Sequence, residues 1–288
     1  MQPKFGPAGS SDSFFAAGYK ASVQMPGWLE KIGLDAFEYQ CSKGVNVSEK
    51  TAVQIGQKAR EHHISLSIHA PYYISLSSKD PEKRDNSIGY ILKSARCARF
   101  MGAGRIVVHS GSCSGMTREH ALELAKDTIR RALAALDAEG LGDITVCPET
   151  MGKINQLGTL EEVCELCRLD ERLIPTIDFG HLNARTLGGV RGIADYEKLL
   201  NLVEDRLGAD RLRVFHSHFS KIAYTAGGEK VHLTFADGGE YGPEFEPLAE
   251  LIARKNLAPT IICESAGTQA EDALAMKRMV LHAKGEDL

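Results

Sequence analysis

The sequence has no stretch of about 18 uninterrupted apolar residues, the length that a membrane-spanning helix needs. Its first residues, Met1-Gln-Pro-Lys-Phe, also lack the apolar core of a signal peptide. The formal net charge of −4 gives no overall attraction for a polyanion, so nucleic acid binding would need a local basic rim or bound cations. These absences predict a cytoplasmic protein with no membrane partner, and we expect a monomer.

A framework of disulfides is not expected either. The seven cysteines are an odd number, and Cys147 and Cys263 lie inside apolar runs, as reduced buried thiols do. The one CxxC motif, Cys164-Glu-Leu-Cys167, has no second pair and lies in a helical pattern. We therefore interpret it as structural rather than as a zinc or redox site.

What the sequence does contain is a repeated pattern of short β-branched runs. Such runs predict strands buried on both faces, as in a parallel sheet covered by helices. Helix-period segments, from Ser48–His62 to Gln269–His282, alternate with these runs without a long linker. With Lys4–Gly6 and Ala36–Gln40 the count is eight strands and about eight helices. This predicts an α/β fold, a single (β/α)8 TIM barrel that uses residues 1–288 as one domain.

Six of the runs end on a residue type that binds metals. The carboxyl ends of barrel strands meet at one mouth, so ligands far apart in sequence come together there. A single histidine at a strand end is explained by packing. One imidazole or carboxylate at each of six strand ends favours a metal site, since a buried carboxylate is costly when unpaired. Imidazoles with carboxylates suit zinc, or manganese where oxygen ligands dominate. The six residues are His69, His109, Glu149, Asp178, His216 and Glu264.

Three further histidines lie near these positions. His181 follows Asp178 at the point where we expect a strand to become a loop, and His218 alternates with His216, so both would face the same side of a strand. His232 lies in the polar, glycine-rich stretch Ser217–Gly242, which we predict to be a loop at the mouth or its edge.

These residues resemble the endonuclease IV family of apurinic/apyrimidinic endonucleases, TIM barrels with a zinc cluster within the wider xylose-isomerase-like superfamily. The resemblance runs from Ile64 to the C-terminus. It is carried by His69-Ala-Pro-Tyr72, His109-Ser-Gly, Pro148-Glu149-Thr with Asn155-Gln-Leu-Gly158, Asp178 with His181, His216 with Ser220-Lys221, and Cys263-Glu264.

The resemblance implies a ligand set. A first metal would bind His69, His109 and Glu149. A second would bind Glu149, Asp178, His216 and Glu264. His181 and His232 would be left for a third. Tyr72 would lie beside the substrate at the rim, and we assign Lys221 to substrate binding as well.

Two departures from the family pattern stand out. The family has an Asp-x-His pair where this chain has Lys230-Val-His232, and a protonated lysine has no lone pair to give. Glu229 is one position out of place, so we expect the third site to be empty or weakly filled. Glu38 stands near the second strand's end, where the DNA-cleaving members carry basic and aromatic residues, and it resembles the sugar-isomerase branch.

Three functions follow from this pattern. Two metals about 3.5–4 Å apart suit phosphodiester hydrolysis, with Glu149 as the bridging carboxylate and Glu264 to orient the nucleophile. The resemblance implies that the substrate is DNA with abasic sites and that the protein acts in base-excision repair. The alternatives are a sugar or sugar-phosphate isomerase or epimerase, in which a glutamate moves a proton at carbon, and a barrel that binds a metal or ligand without catalysis. A compact cluster of two or three metals would favour the nuclease.

Overall fold

The computed structural model describes residues 2–286, and eight of the strands in that range form a parallel barrel. The strands are β1 (Lys4–Pro7), β2 (Ala36–Gln40), β3 (Ser65–His69), β4 (Arg105–His109), β5 (Thr145–Glu149), β6 (Thr176–Asp178), β7 (His216–Phe219), β8 (Lys221–Thr225), β9 (Gly228–Leu233) and β10 (Thr260–Cys263). Hydrogen bonds join the barrel strands in the order β1-β10-β7-β6-β5-β4-β3-β2. The predicted TIM barrel is therefore confirmed.

The barrel closes where β1 meets β2. Ala8 and Glu38 form a parallel bridge there, and the Gly9 amide donates to the Glu38 carbonyl oxygen at 3.0 Å. A Cβ atom on Gly6 would lie 1.8 Å from the carbonyl oxygen of Ala36. Only glycine permits so close an approach between these two strands.

The helices pack around the outside of the barrel. Thr159 caps one of them, accepting a hydrogen bond from the Glu162 amide at 3.2 Å while the Glu162 side chain accepts from the Thr159 amide. Thr117 caps another in the same way, accepting a hydrogen bond from the His120 amide at 3.3 Å. The helices are α1 (Asp12–Ala16), α2 (Met25–Lys31), α3 (Glu49–Glu61), α4 (Pro81–Met101), α5 (Arg118–Ala138), α6 (Leu160–Cys167), α7 (Phe179–Arg185), α8 (Ile193–Leu207), α9 (Ala209–Arg213), α10 (Glu246–Arg254) and α11 (Gln269–Lys284).

Three local predictions are wrong. The run expected to end at His216 instead begins a strand there and continues to Phe219. The stretch Ser217–Gly242 is not an irregular loop, because it contains the end of β7 and the antiparallel hairpin of β8 and β9. The chain after Asp178 is not a loop either: helix α7 starts at the next residue, with the Asp178 side chain accepting from the His181 amide at 2.7 Å.

All seven cysteines are free and buried. In residues 2–286, neither Cys164 nor Cys167 belongs to a cluster of possible metal ligands. No described helix combines the length and apolar character needed to cross a bilayer.

Candidate metal centre

Four barrel strands deliver a cluster of ligands at the mouth, which we call the central group. Glu149 and Asp178 are the last residues of β5 and β6, and Asp178 pairs in register with His218 on β7. Glu264 directly follows β10. Ligand atoms of all four side chains lie within 4.8 Å of one another, which is the spacing that one metal ion needs. The central group consists of Glu149, Asp178, His218 and Glu264.

A second set of ligands adjoins the central group through Glu149. The Nε2 atoms of His69 and His109 each lie 3.4 Å from Glu149 Oε2, and we call these two residues the histidine pair. The other oxygen, Oε1, lies 2.9 Å from His218 Nδ1. Each oxygen of Glu149 therefore lies nearest to different histidines, although ligand atoms of His69, Glu149 and His218 also lie within 4.8 Å of one another. A carboxylate shared in this way is suited to bridge two ions.

Hydrogen bonds fix which nitrogen of the histidine pair is free. His69 Nδ1 lies 2.7 Å from the carbonyl oxygen of Ala70, and His109 Nδ1 lies 3.2 Å from that of Tyr72. A carbonyl oxygen only accepts, so each Nδ1 carries a proton and donates it. The lone pair of each neutral imidazole is then on Nε2, aimed at Glu149, as in metal sites where an outer partner sets the tautomer.

The electrostatics of the centre call for a cation. Burial raises the pKa of Asp178, and the neighbouring carboxylates of Glu264 and Glu149 raise it further. Burial opposes the charge on Glu149, but its histidine neighbours, His218 foremost, hold its pKa well below the usual value. Two buried oxygens, Glu149 Oε2 and Asp178 Oδ2, have no hydrogen-bond donor. Buried carboxylate oxygens without donors are costly unless a cation binds them.

The histidine pair has unequal affinity for protons. Burial lowers the pKa of His109 to about 4, so its ring is neutral at neutral pH. Burial also acts against a charge on His69, but Glu149 outweighs it and raises the pKa of His69 to about 9. A metal at this position therefore competes with a proton on His69 and not with one on His109.

A third ligand set, the rim group, lies at the edge of the mouth. It consists of His181 from the first turn of α7 with Glu229 and His232 from β9. His181 Nε2 lies 3.5 Å from Glu229 Oε2, and ligand atoms of all three lie within 4.8 Å of one another. The expectation that this site has only two neutral ligands is therefore wrong.

A β-bulge explains how Glu229 reaches the rim group. Ala223 pairs with Val231 and the next residue, Tyr224, pairs with Glu229, so Lys230 is an extra residue in β9. Residues two apart in a regular strand share a face, but the bulge makes Glu229 and His232 share one although they are three apart. Lys230 is exposed to solvent. The bulge therefore places Glu229 in the rim group, although it stands one position away from the family's acid in the sequence.

The rim group also depends on the loop after β5. The Glu229 amide donates to the Gly152 carbonyl oxygen at 3.1 Å, which docks the hairpin on this loop. A Cβ atom on Gly152 would lie 2.6 Å from Glu229 Cβ and 2.9 Å from His181 Cδ2. Glycine at this position leaves room for both ligands.

The structure separates two histidines that the sequence treats together. His216 lies deeper in the barrel, opposite Thr176, and its Nε2 donates to Glu38 Oε2 at 2.9 Å. His218, two residues later, occupies the place in the central group that the resemblance gave to His216. Both rings contact Glu38, so the prediction that they share a face is confirmed. Correct strand bounds were the missing signal, because an end at Phe219 puts His218 at the mouth.

The two expected substrate-binding residues differ in their surroundings. Tyr72 is 58% exposed and lies in the loop after β3, beside the histidine pair. Lys221 is 5% exposed, and its Nζ lies 2.8 Å from Glu244 Oε1. Tyr72 is therefore open to a ligand, whereas the ammonium of Lys221 already has a partner.

Comparisons with known proteins place the chain among barrels of this kind. The family model described as xylose isomerase-like TIM barrel matches residues 26–280. An uncharacterised protein of Methanocaldococcus jannaschii is 32% identical over 86% of this chain and 88% of its own length. A probable endonuclease 4 of Mycoplasma genitalium is 26% identical over 70% of this chain and 67% of its own length. In another, from Acholeplasma laidlawii, 29% identity covers 54% of this chain and about half, 52%, of that protein.

Solved structures of two kinds share the fold. Endonuclease IV from Thermus thermophilus superposes with a TM-score of 0.70 at 20% identity, over 99% of this chain and 100% of that one. A D-tagatose 3-epimerase-like protein gives a TM-score of 0.72 at 19% identity, over 98% of each chain. At these identities both comparisons establish the fold alone.

Proposed function

We propose that this chain, which belongs to the xylose isomerase-like TIM barrel family, is a metal-dependent phosphodiesterase that cleaves DNA at abasic sites. We also propose that the whole chain is one domain and that the protein is a cytoplasmic monomer. The observation that carries this proposal is the meeting of three ligand sets around one mouth. The histidine pair and the central group share Glu149, and the rim group lies beside them. A carbon-centred proton transfer has no need of so many ligands, whereas a phosphodiester carries charge on several oxygens at once.

The ligand chemistry suits zinc. The histidine pair with one Glu149 oxygen would give a nitrogen-rich set. The central group combines the imidazole of His218, which also lies within ligand distance of His69, with three carboxylates, and this set also suits manganese. The rim group offers two imidazoles and a carboxylate. Bound ions of this class supply Lewis acidity, which acidifies a water molecule and neutralises phosphate charge.

The protein's own residues divide the remaining work. Glu149, with its side chain 1% exposed, is a fixed bridge between ligand sets. Glu264 is the most accessible carboxylate of the central group, at 17%, so it is the residue placed to orient a water molecule and take its proton. Tyr72, exposed beside the histidine pair, offers an aromatic face on which a base or sugar can stack. Lys221 contributes to substrate binding only when its pair with Glu244 opens.

DNA as the substrate draws support from the relatives named probable endonuclease 4 and from the character of the rim. Exposed large apolar side chains also lie near the mouth: Tyr73 in the loop after β3, beside Tyr72, Ile154 in the loop after β5, and Val231 in β9. A duplex opened at an abasic site presents unstacked bases that such side chains can contact. The chain's formal net charge is −4, and cations held by these ligands would offset it locally and attract phosphate.

A sugar epimerase is the second candidate, and the central group is the observation that favours it. Three carboxylates and one imidazole are enough ligands for one oxygen-preferring ion. Glu149 and Glu264 then stand where proton donors and acceptors for a carbon acid are needed. This candidate requires neither the histidine pair nor the rim group.

The deciding experiment uses a labelled duplex with a single tetrahydrofuran abasic analogue. We expect the zinc- or manganese-loaded protein to nick it on the 5′ side of the analogue, and EDTA to stop the reaction. His109→Gln should lower the rate on the order of 100-fold, because it removes a ligand. His62→Gln is the matched control, since His62 is a surface residue paired with Glu30 far from the mouth. Intact duplex at micromolar enzyme, together with epimerisation of a ketohexose, would overturn the proposal in favour of the second candidate.

A further inference from the structure

Glu38 is a fully buried carboxylate to which the proposed chemistry gives no task. It lies in β2 with 0% exposure, and its side chain points into the barrel below the central group. Oε2 accepts from Ser67 Oγ at 2.8 Å and from His216 Nε2 at 2.9 Å. Oε1 accepts from Gln40 Nε2 at 3.3 Å. With its oxygens engaged and no access to the mouth, Glu38 is not placed to act on a substrate.

The fourth contact of Glu38 connects it to the central group. His218 Nε2 lies 2.8 Å from Glu38 Oε1, but its N–H direction does not make a hydrogen bond there, and this buried nitrogen has no other partner among residues 2–286. The other nitrogen, Nδ1, lies 2.9 Å from Glu149 Oε1 and 3.5 Å from Glu264 Oε1. The imidazole of His218 is therefore held between one carboxylate below it and two carboxylates at the mouth.

We infer that Glu38 is a positioning residue, which keeps the proton of neutral His218 on Nε2 and so leaves the Nδ1 lone pair for the metal of the central group. The inference rests on the proposed metal function. A neutral imidazole has one proton, and only the unprotonated nitrogen binds a metal. Carboxylates face both nitrogens, Glu149 Oε1 at 2.9 Å from Nδ1 and Glu38 Oε1 at 2.8 Å from Nε2. A metal bound by Glu149 would take the place of a proton on Nδ1, whereas Glu38, away from the mouth, would accept the proton that then remains on Nε2.

The comparison with the histidine pair explains why a carboxylate is needed here. His69 and His109 point Nδ1 at backbone carbonyl oxygens and keep Nε2 for the metal. His218 is oriented the opposite way, with Nε2 in the barrel interior, where the strand carbonyls are engaged in the parallel ladder. A side-chain acceptor has to replace the carbonyl. A carboxylate in this role also makes the ring a stronger ligand.

The cost of burying Glu38 supports the same role. An ionised carboxylate without exposure is destabilising unless donors surround it. Four groups that can donate surround Glu38, which is the setting in which a buried carboxylate is tolerated. An apolar side chain would fill this volume at less cost if packing were the only requirement.

The test is Glu38→Gln in the zinc-loaded protein. Glutamine keeps the shape, but its amide nitrogen is a donor, and a donor against Nε2 favours the wrong tautomer of His218. We expect the affinity for one zinc ion, measured by competition with a chromophoric chelator, to fall 10- to 100-fold. Ser67→Ala is the control, because it removes a donor from Glu38 Oε2 and leaves Oε1 facing His218. The control should keep the zinc affinity of the unaltered chain.

Nitrogen-15 NMR of histidine-labelled, zinc-loaded protein reads the tautomer directly. We expect His218 to carry its proton on Nε2 in the unaltered chain, and this measurement stands even if Glu38→Gln does not fold. A proton on Nδ1 would overturn the inference. So would equal zinc affinity in Glu38→Gln, Ser67→Ala and the unaltered chain, since Glu38 would then be only a structural residue. If the unaltered chain binds no zinc or manganese at all, the proposed function fails with it, and that result is distinct from the other two.

Discussion

The central group and the rim group are built in different ways. The central group takes its ligands from the ends of four neighbouring strands, and its side chains range from fully buried to 17% exposed. The rim group takes one ligand from the first turn of a helix and two from a hairpin outside the barrel sheet, and His232 is 27% exposed. Strand register fixes the first group. The second depends on the docking of the hairpin on the loop after β5, and its His181 is also tied to the first group through the hydrogen bond from its amide to Asp178. Disrupting the docking of the hairpin should therefore leave the central group in place.

Replacing Glu149 by glutamine should give the largest effect. The amide keeps the volume but removes the charge that the histidine pair and the central group share. We expect both of these metal sites to lose their ions and the rate of DNA nicking to fall on the order of 100-fold or more. The rim group, which does not include Glu149, should keep its ion.

Elemental analysis of the purified variant measures these losses together. Circular dichroism of the variant should match that of the unaltered chain, since the strand ends are held by the barrel. Full metal content with near-normal turnover would mean that Glu149 is structural and that the two groups are not linked through it.

The strand-end ligands were predictable from sequence for a physical reason. A buried parallel strand is a continuous apolar run, and its end is visible where the next polar residue appears, as at His109 and Glu149. The same reasoning failed in β7, because His216 is itself buried inside the barrel and so imitates a strand end. A polar residue that is buried against Glu38 cannot be told from one at the mouth without knowing its partner.

The rim group was less predictable because its geometry arises between segments. Nothing in the letters Glu229-Lys-Val-His232 marks a bulge, since the extra residue is accommodated by how β9 pairs with β8. The start of α7 was likewise hidden, because Gly180 weakens the helical signal directly after Asp178. Gly180 is needed there, as a Cβ atom would lie 2.5 Å from the carbonyl oxygen of Ser220.

Replacing Gly152 by alanine should disrupt the rim group and leave the central group intact. The added Cβ meets Glu229 Cβ at 2.6 Å and His181 Cδ2 at 2.9 Å, so the hairpin must shift away from the loop after β5. We expect loss of the rim ion, a loss of stability of about 1–3 kcal/mol and intact metal binding in the central group. Metal content and urea unfolding measure these effects.

The control for this variant lies in the same hairpin. A Cβ atom on Gly227 meets only Thr225 Oγ1, at 3.7 Å, so Gly227→Ala should keep all bound ions. If Gly152→Ala also empties the central group, the two groups share support that the strand register does not supply, and the comparison fails.

Deleting Lys230 should have the smallest effect. The deletion removes the extra residue of the bulge, and Glu229 would then stand two residues before His232 in a regular strand, on the same face. We expect the rim group to keep its ion, and Lys230→Asp to add no further one, because Glu229 already supplies the acid.

Deleting Glu229 instead is the matched control: it shortens the hairpin equally but leaves Lys230 in the acid's place, so the rim ion should be lost. Since Lys230 is exposed, its own side chain contributes little to either outcome. If the Lys230 deletion folds normally but loses the rim ion, the bulge itself shapes the ligand set, and the rim group depends on backbone geometry more strongly than on which acid the chain carries.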